Sequence, residues 1–416
     1  MRVLLVFPAL CPAALRGLKV AVLDAKENAG ARVRTTGILV KEVTDAFDLP
    51  AHLLKKIRGV RLYAPNGRSL DLHAPGYYFQ ATDTAGLLRW LAGEAERDGA
   101  QLLFGRKFEA ASADEAGITI PAHGIRTNYL VGADGARSRV AAAFGLGCNK
   151  RFLVGAEMEC EPMASIDPRF LHCFADSGIA PGYIGWVLAG CGMAQLGAAA
   201  RFGAKPGMSR LVARTKRTFG IEQLSAIERR SGLIPVGGPV EPLGRGRVLL
   251  VGDAAGLVSP VTGGGIHTAL HFGRKAAQLV SDYLLDRGAH PVQAMAAEIP
   301  RFRFKRALRR VLDMAPPNAL INLMLLTAPM RMFAQRIYFH SRGAIWRNSI
   351  PGNRNSKTGT THRGRLRPEN KRCAVRDRGF QRSLQLRSRA ADQRPRSGGD
   401  AGLTSLGKFP QRCWRL

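Results

Sequence analysis

The sequence predicts an α/β protein in which a doubly wound sheet is interleaved with a second, mainly antiparallel sheet and followed by helices. Three observations carry that expectation. Short apolar runs end repeatedly at an acid or a glycine turn: residues 20–23 before Asp24, 129–131 before Gly132-Ala133-Asp134-Gly135, and 248–251 before Gly252-Asp253-Ala254-Ala255. Residues 82–99 place Ala85, Leu88, Leu91, Ala92 and Ala95 at helical spacing and close on Gly99, so strand and helix alternate. Between 152 and 201 the pattern changes to short strands separated by glycine-rich turns, the mark of a separate antiparallel sheet.

In chain order, residues 3–6 and 18–23 read as two parallel strands with only 11 residues between them, the second ending at Asp24. Met1-Arg2 and the apolar residues 3–10 also resemble the start of a signal peptide, with small residues at Ala13-Ala14. Cleavage there would leave the 18–23 strand at the new terminus without the neighbour its pattern calls for. Residues 102–104 follow the helix as a strand, 118–120 form a hairpin with the stretch near Ile125, and 129–131 form the strand before the Gly132 turn. Strands are expected at 152–158, 183–188, 194–199 and 248–251, and Gly263-Gly264-Gly265 opens a helix that runs to about Asp286. Residues 301–347 read as helices interrupted at Pro316-Pro317, with a basic, solvated face of Arg301, Arg303, Lys305, Arg306, Arg309 and Arg310.

Composition narrows the function classes. The chain has 416 residues, 46% of them hydrophobic, and a net charge of +31. Its length supports a sizeable core without staples. Seven cysteines, none in a C-x-x-C spacing, point to a reducing compartment and no structural zinc. Apolar runs stay below the roughly 18–20 residues of a spanning helix, so a cytoplasmic protein, soluble or peripheral to a membrane, is expected. Residues 347–416 carry 18 Lys and Arg against four acids with little to bury, and read as a disordered basic tail. No aromatics interleave those arginines, which argues against nucleic acid as a partner. His267 and His271 sit at i, i+4 but lack a third ligand, so no metal site is expected.

In a doubly wound sheet, ligands bind beyond the carboxyl ends of the strands. Asp24 stands where such a fold places an acid for an adenosine ribose. Gly252-Asp253-Ala254-Ala255 with Gly263, Gly264, Gly265 and Ile266 combines a carboxylate, small residues and a glycine-rich helix start, whose N–H groups suit pyrophosphate or the pyrimidine edge of a flavin. Gly132, Asp134 and Gly135 repeat that logic, with Arg137 and Ser138 behind them.

These motifs, in this order, resemble the group A flavoproteins with the p-hydroxybenzoate hydroxylase fold, and within them the geranylgeranyl reductase family. Gly132 to Ser138 is similar to that superfamily's second flavin motif, and Gly246-Arg247-Val248-Leu249-Leu250-Val251-Gly252-Asp253 to its third. Pro181-Gly182-Tyr183-Ile184-Gly185-Trp186-Val187 resembles the reductases' aromatic substrate-wall motif. The resemblance implies a Rossmann-like FAD-binding domain built from 1–60, 80–150 and 235–290, a substrate-binding sheet from 61–79 and 151–234, C-terminal helices at 291–346, and the tail at 347–416. It implies FAD as cofactor, a nicotinamide nucleotide (NAD(P)H) as a candidate electron donor, and hydride transfer from reduced flavin to an isoprenoid double bond. Asp24, Arg34, Gly132, Asp134, Gly135, Gly252, Asp253, Gly263, Gly264, Gly265 and Ile266 would hold FAD. Thr36, Gly37, Tyr183 and Trp186 would line the substrate pocket, although aromatics such as Tyr183 and Trp186 are more often core residues than ligand walls. No residue stands out as a catalytic acid or base.

Two departures from the family pattern accompany the resemblance. Phe7-Pro8-Ala9-Leu10-Cys11-Pro12 occupies the place of the first glycine-rich turn, for which a misread or frameshifted start, or a decayed gene, is the simplest account; a frame change would likewise explain the tail. Residues 34–39 lack the cysteine-glycine pair that the reductases often carry beside the flavin. Other readings stay open: an aromatic or polyketide monooxygenase with an aromatic substrate in place of a lipid, a non-catalytic remnant, and membrane-surface contact through the basic helix.

Overall fold

Parallel pairing of strands beyond hairpin reach requires a crossover, and the chain supplies one early. The computed structural model describes residues 17–325 and 327–340; the expected strand at 3–6, the segment 7–12 and the tail from 347 lie outside the described residues. Ala21–Asp24 pairs in parallel with Gln101–Phe104, and the last element of the crossover is the helix Thr84–Arg97. Asp83 caps that helix, accepting the Gly86 N–H at 2.9 Å, a contact worth about 1 kcal/mol. The helix buries Leu87, Leu88, Leu91, Ala92 and Ala95 on one face, and Gly99, at φ 94°, turns the chain out of it.

A second parallel pair joins Leu130–Gly132 to Val248–Leu250, with Gly244–Arg245 antiparallel at its far side. Gly132 is required here by packing, because a Cβ on it would lie 2.7 Å from Leu250 Cδ2 and 2.9 Å from Val140 Cγ1. The helix Ile266–Leu284 covers this pair, placing Phe272, Ala276 and Val280 in one core with Leu249 and Leu250. Ser112–Asp114, Gly117–Ile120 and Ile125–Thr127 form the expected hairpin, extended by one strand.

The second layer is a seven-stranded sheet in the spatial order Ala226–Pro235, Phe152–Cys160, Ala194–Arg201, Gly185–Ala189, Phe170–Phe174, Gly59–Tyr63, Ser69–Leu72. Only Phe170–Phe174 and Gly59–Tyr63 run parallel; every other neighbouring pair is antiparallel. Strands Phe170–Phe174 and Ala226–Pro235 were not expected from sequence. The first is brief and carries His172 and Cys173, and the second is an edge strand whose Glu-Arg-Arg-Ser run lacks apolar alternation. The strand expected at 183–188 begins at Gly185, because Gly182, at φ 77°, makes a turn in which the Tyr183 N–H donates to the Ala180 carbonyl at 2.9 Å. Tyr183 therefore leaves the sheet.

One cross-strand row fixes the character of this sheet. Arg230 pairs with Glu157, Glu157 with Gly197, Gly197 with Trp186, Trp186 with Cys173 and Cys173 with Leu62. Directly paired residues share a face, so these side chains stand in line. Gly197 has no side chain because the indole occupies its place: a Cβ there would lie 2.2 Å from Trp186 Cζ2. The C-terminal helices Arg303–Leu312, Asn318–Met324 and Ala328–Gln335 follow, the second starting after Pro316-Pro317 as expected. The basic face of the first is not wholly solvated, since Arg309 is 1% exposed. Gly197→Val is expected to displace Trp186 and to lower stability by about 1–3 kcal/mol, as overpacking does, with chemical denaturation as the measurement.

Candidate active site

The ends of the parallel strands, the inner row of the large sheet and the C-terminal helices enclose a cavity of about 560 Å³. One wall is the turn Gly252–Ala255, entered from the buried strand Val248–Leu250 and made possible by the left-handed glycines Gly252 (φ 57°) and Gly256 (φ 68°). Asn149 ties this turn to the Gly132–Gly135 turn, donating to the Asp253 carbonyl at 2.8 Å and to the Ala136 carbonyl at 3.0 Å. The helix Ile266–Leu284 starts at Gly265 with no side-chain cap, and its first residues line the cavity, so a helix N-terminus with its partial positive charge lies at the wall.

The cavity brings together Arg34, Thr36, Gly37, Tyr183, Trp186, Gly252, Asp253, Gly263, Gly264, Gly265 and Ile266. Four other expected residues do not line it. Asp24 is 2% exposed at the end of its strand, beside the lining residues Ala25 and Lys26; burial pushes its carboxyl above the usual range although the Lys26 N–H donates to it at 3.0 Å. Of the Gly132–Gly135 turn only Ala133 reaches the wall. Asp134 spends its carboxylate on the local turn, accepting the Ser138 hydroxyl at 2.5 Å and the Arg139 and Val140 N–H groups at 2.5 and 3.1 Å. Its job in this structure is to start the helix Arg139–Ala143.

Tyr183 donates its hydroxyl to the Thr262 carbonyl at 2.5 Å, which joins the aromatic wall to the glycine loop. Gly263, at φ 61°, is required there, because a Cβ would sit 2.7 Å from the same hydroxyl. Among the described residues no group of three or more His, Cys, Asp or Glu is arranged for a metal. Burial holds the His271 imidazole below its usual range, as expected of a helix-face histidine packed inward.

A polar cluster that sequence reasoning missed stands at the end of the cross-strand row. The Glu157 carboxylate accepts from the Thr36 hydroxyl at one oxygen and from Arg230 at the other, with Arg230 Nε at 3.1 Å. Arg230 also pairs with Glu159 at 2.7 Å, and Gln195 donates to Glu159 at 3.1 Å. Glu157 and Arg230 side chains are only 8% and 7% exposed, yet both line the cavity. Burial raises the Glu157 carboxyl above its usual range, the nearby Glu159 adds to this, and Arg230 and Thr36 oppose it. A faint sequence signal existed: Glu157 and Glu159, two residues apart on one strand, share a face with Gly155.

Two buried polar atoms on the cavity wall, Trp186 Nε1 and Thr262 Oγ1, have no hydrogen-bond partner among the described residues. Such orphans are costly. The uncapped helix start, the Asp253 carboxylate and the glycine loop, which line the cavity, fit a flavin dinucleotide, whose pyrophosphate, hydroxyls and ring carbonyls need such groups.

The FAD binding domain family model matches residues 24–169, and the lycopene cyclase protein family model matches residues 204–336. The chain is 30% identical over 283 residues to geranylgeranyl diphosphate reductase of Rhodobacter capsulatus, an alignment covering 64% of this chain and 70% of that one. It is 27% identical over 317 residues to digeranylgeranylglycerophospholipid reductase of Methanothrix thermoacetophila, covering 70% and 78%. Among solved structures, a geranylgeranyl bacteriochlorophyll reductase-like protein from Thermoplasma acidophilum superposes with a TM-score of 0.69 at 19% identity, covering 82% of this chain and 95% of the other. Aklavinone-11 hydroxylase, solved with FAD and aklavinone, shares the fold at a TM-score of 0.55 and 17% identity, covering 79% and 70%. Fold, flavin motifs and relatives agree, and the chain belongs to the geranylgeranyl reductase family of FAD-dependent oxidoreductases.

Proposed function

We propose that this protein reduces carbon–carbon double bonds of an isoprenoid lipid, with FAD held against the Gly252–Ala255 turn and the glycine loop. The observation that carries the reading is the shape and chemistry of the cavity. Its charged residues, Lys26, Arg32, Arg34, Glu157, Arg230 and Asp253, come from the strand ends and the sheet, whereas its lining from residues 312–338 contains no charged side chain. Leu320, Ile321, Met324, Leu325, Met330, Phe333 and Ile337 continue it as an apolar channel. A long hydrocarbon chain gains about 0.8 kcal/mol for each CH₂ buried in such a channel, while an aromatic acid would call for a cation there.

The bound cofactor, once reduced, supplies the hydride. In this reading Asp253 accepts hydrogen bonds from its hydroxyls, Gly263, Gly264, Gly265 and Ile266 offer backbone N–H groups, Arg34 offsets its negative charge, and Asp24 serves the ribose. Gly132 and Gly135 hold the second turn in place, and Asp134 caps the helix behind it. Thr36, Gly37, Tyr183 and Trp186 bound the reacting end of the lipid. A nicotinamide nucleotide is the electron donor this reading assigns. Asp253→Ala is expected to weaken FAD binding about tenfold or more, as loss of a charge-assisted hydrogen bond does, while Asp114→Ala in the exposed hairpin leaves it unchanged by flavin fluorescence titration.

The activity test is anaerobic. The flavoprotein, reduced with dithionite or NADPH, is mixed with geranylgeranyl diphosphate and its products are weighed. A gain of two hydrogens per double bond is the expected result; turnover only with oxygen, adding one oxygen atom to an aromatic substrate, would replace this reading with the monooxygenase one.

The channel also supports contact with a membrane surface. Leu320 and Met324 both line it and are 41% exposed, so it opens among the C-terminal helices. Phe304, Val311, Met314, Leu323 and Met332 on or beside those helices are exposed as well, with Arg303, Arg310 and Arg331 close in sequence. Exposed apolar side chains among cations suit an anionic bilayer, and no helix among the described residues is long and apolar enough to cross one. The protein is expected to sediment with phosphatidylglycerol vesicles more than with phosphatidylcholine vesicles, and Met314→Glu with Leu323→Glu to reduce that binding several-fold.

A further inference from the structure

Reducing an alkene requires a proton as well as a hydride, and the cavity wall contains few groups able to give one. Tyr183 is engaged with the Thr262 carbonyl. Cys173, in the same cross-strand row, is fully buried, and burial pushes its thiol up to about 12. The carboxyls among the described lining residues are Asp253, in the glycine turn, and Glu157, on the sheet opposite.

Glu157 has the surroundings of a proton store. Its strand neighbour Glu159 competes for the same guanidinium, so two carboxyls share one cation, Arg230, in a buried place. One proton on the pair balances the charge, because two ionised carboxylates and one guanidinium would leave a net negative charge out of water. Arg230 binds one Glu157 oxygen, and the other meets the hydroxyl of Thr36, a cavity-lining residue beside Gly37. The charged groups that act on Glu157 are thus Arg230, which it binds, and Glu159, which shares that cation and is held by Gln195 from the adjacent strand; Lys26, Arg32, Arg34, Asp253 and His267 share the cavity wall. A hydroxyl both accepts and donates, so Thr36 can take a proton from Glu157 while giving its own.

We propose that Glu157 is the proton store for double-bond reduction and that the Thr36 hydroxyl carries its proton to the substrate carbon that does not receive the hydride, an inference that rests on the isoprenoid-reductase reading. In the balanced step, one new C–H bond would take the electron pair and hydrogen that bound, reduced FAD would supply as hydride. The π electrons of the alkene form the other with the Thr36 hydroxyl proton. The O–H bond of Glu157 breaks toward Thr36, so the alkene is reduced to an alkane at the expense of the two electrons FAD would give up, and Glu157 is left as a carboxylate beside Arg230. Water from the cavity mouth restores its proton.

The test uses the full-length protein and three variants, Glu157→Gln, Thr36→Val and Thr36→Ser, compared at equal flavin occupancy. The first readout needs no turnover. Infrared difference spectra across a pH titration should contain a protonated-carboxyl carbonyl band that shifts in D₂O, moves in Thr36→Val and is absent in Glu157→Gln. Stability should follow the same group: its pKa is raised in the fold, so wild type loses stability relative to Glu157→Gln as pH climbs from the ordinary glutamate value through the raised one.

In anaerobic single turnover with geranylgeranyl diphosphate, Glu157→Gln and Thr36→Val should slow reduction by about 100-fold, the scale of general acid catalysis, while Thr36→Ser stays within a few-fold of wild type. A band that survives in Glu157→Gln, or wild-type rates in that variant or in Thr36→Val, would overturn the proposal and leave the reductase reading standing. Absence of lipid reduction by the wild-type protein would overturn the reductase reading itself, and this proposal with it.

Discussion

The indole of Trp186 lies where a side chain on Gly197 would be, and the arrangement of the cavity depends on that contact. A sheet face that bounded a packed core would carry a side chain at every second position. Here Gly155, Gly197 and Gly232 leave the cavity face of three adjacent strands bare, and the indole fills one gap lying flat. The sheet gives up packing there, and about 560 Å³ remains for a cofactor and a chain-like ligand. Because Gly197 pairs directly with Glu157, the same contact sets the aromatic wall beside the acid cluster.

The acid cluster contributes little to stability by itself. Bringing Glu157, Glu159 and Arg230 out of water costs several kcal/mol per ion, and attraction within the group only offsets that when every oxygen and N–H is satisfied. Thr36 and Gln195 supply part of that satisfaction from outside the pair of strands. Apolar residues would serve a purely structural wall better. The cluster faces the cavity from the sheet opposite the glycine turn, and buried, charge-coupled groups of this kind concentrate at functional sites.

How much of this was legible in the sequence follows from how far apart the interacting residues are. The Thr84–Arg97 helix, the strands before Gly132 and Gly252, and the helix after Gly265 were readable, because periodicity and turn chemistry act within a few residues. Glu157 and Arg230 were not: 73 positions separate them, and their strands, read alone, present Glu157 and Glu159 two apart and Glu228-Arg229-Arg230 in a row, as a solvent-facing edge would. Register is a tertiary property, set by how neighbouring strands meet. Asp134 is the opposite case, where local chemistry is dense: the Ser138 hydroxyl and two N–H groups within six residues already donate to the carboxylate of an acid in a glycine turn.

Arg309 shows what a helical pattern can conceal. Its helix carries Arg303, Lys305, Arg306, Arg309 and Arg310 along one face, opposite Phe304 and Val311, and only tertiary contact distinguishes the one that is buried. Arg309 bonds the Gly182 carbonyl, pairs with Asp313 at 2.9 Å one turn later, and lies 6.0 Å from the Tyr183 ring centre. Gly182 accepts this approach because a Cβ on it would lie 3.4 Å from the guanidinium and 3.0 Å from the Leu312 carbonyl. The turn that lifts Tyr183 out of the sheet is therefore held from the other side by the helix that begins the apolar channel. Tyr183 in turn holds the glycine loop through Thr262. One buried cation thereby links the wall that suits a lipid to the loop that suits a flavin, and the distance between the two is set by hydrogen bonds rather than by loose packing.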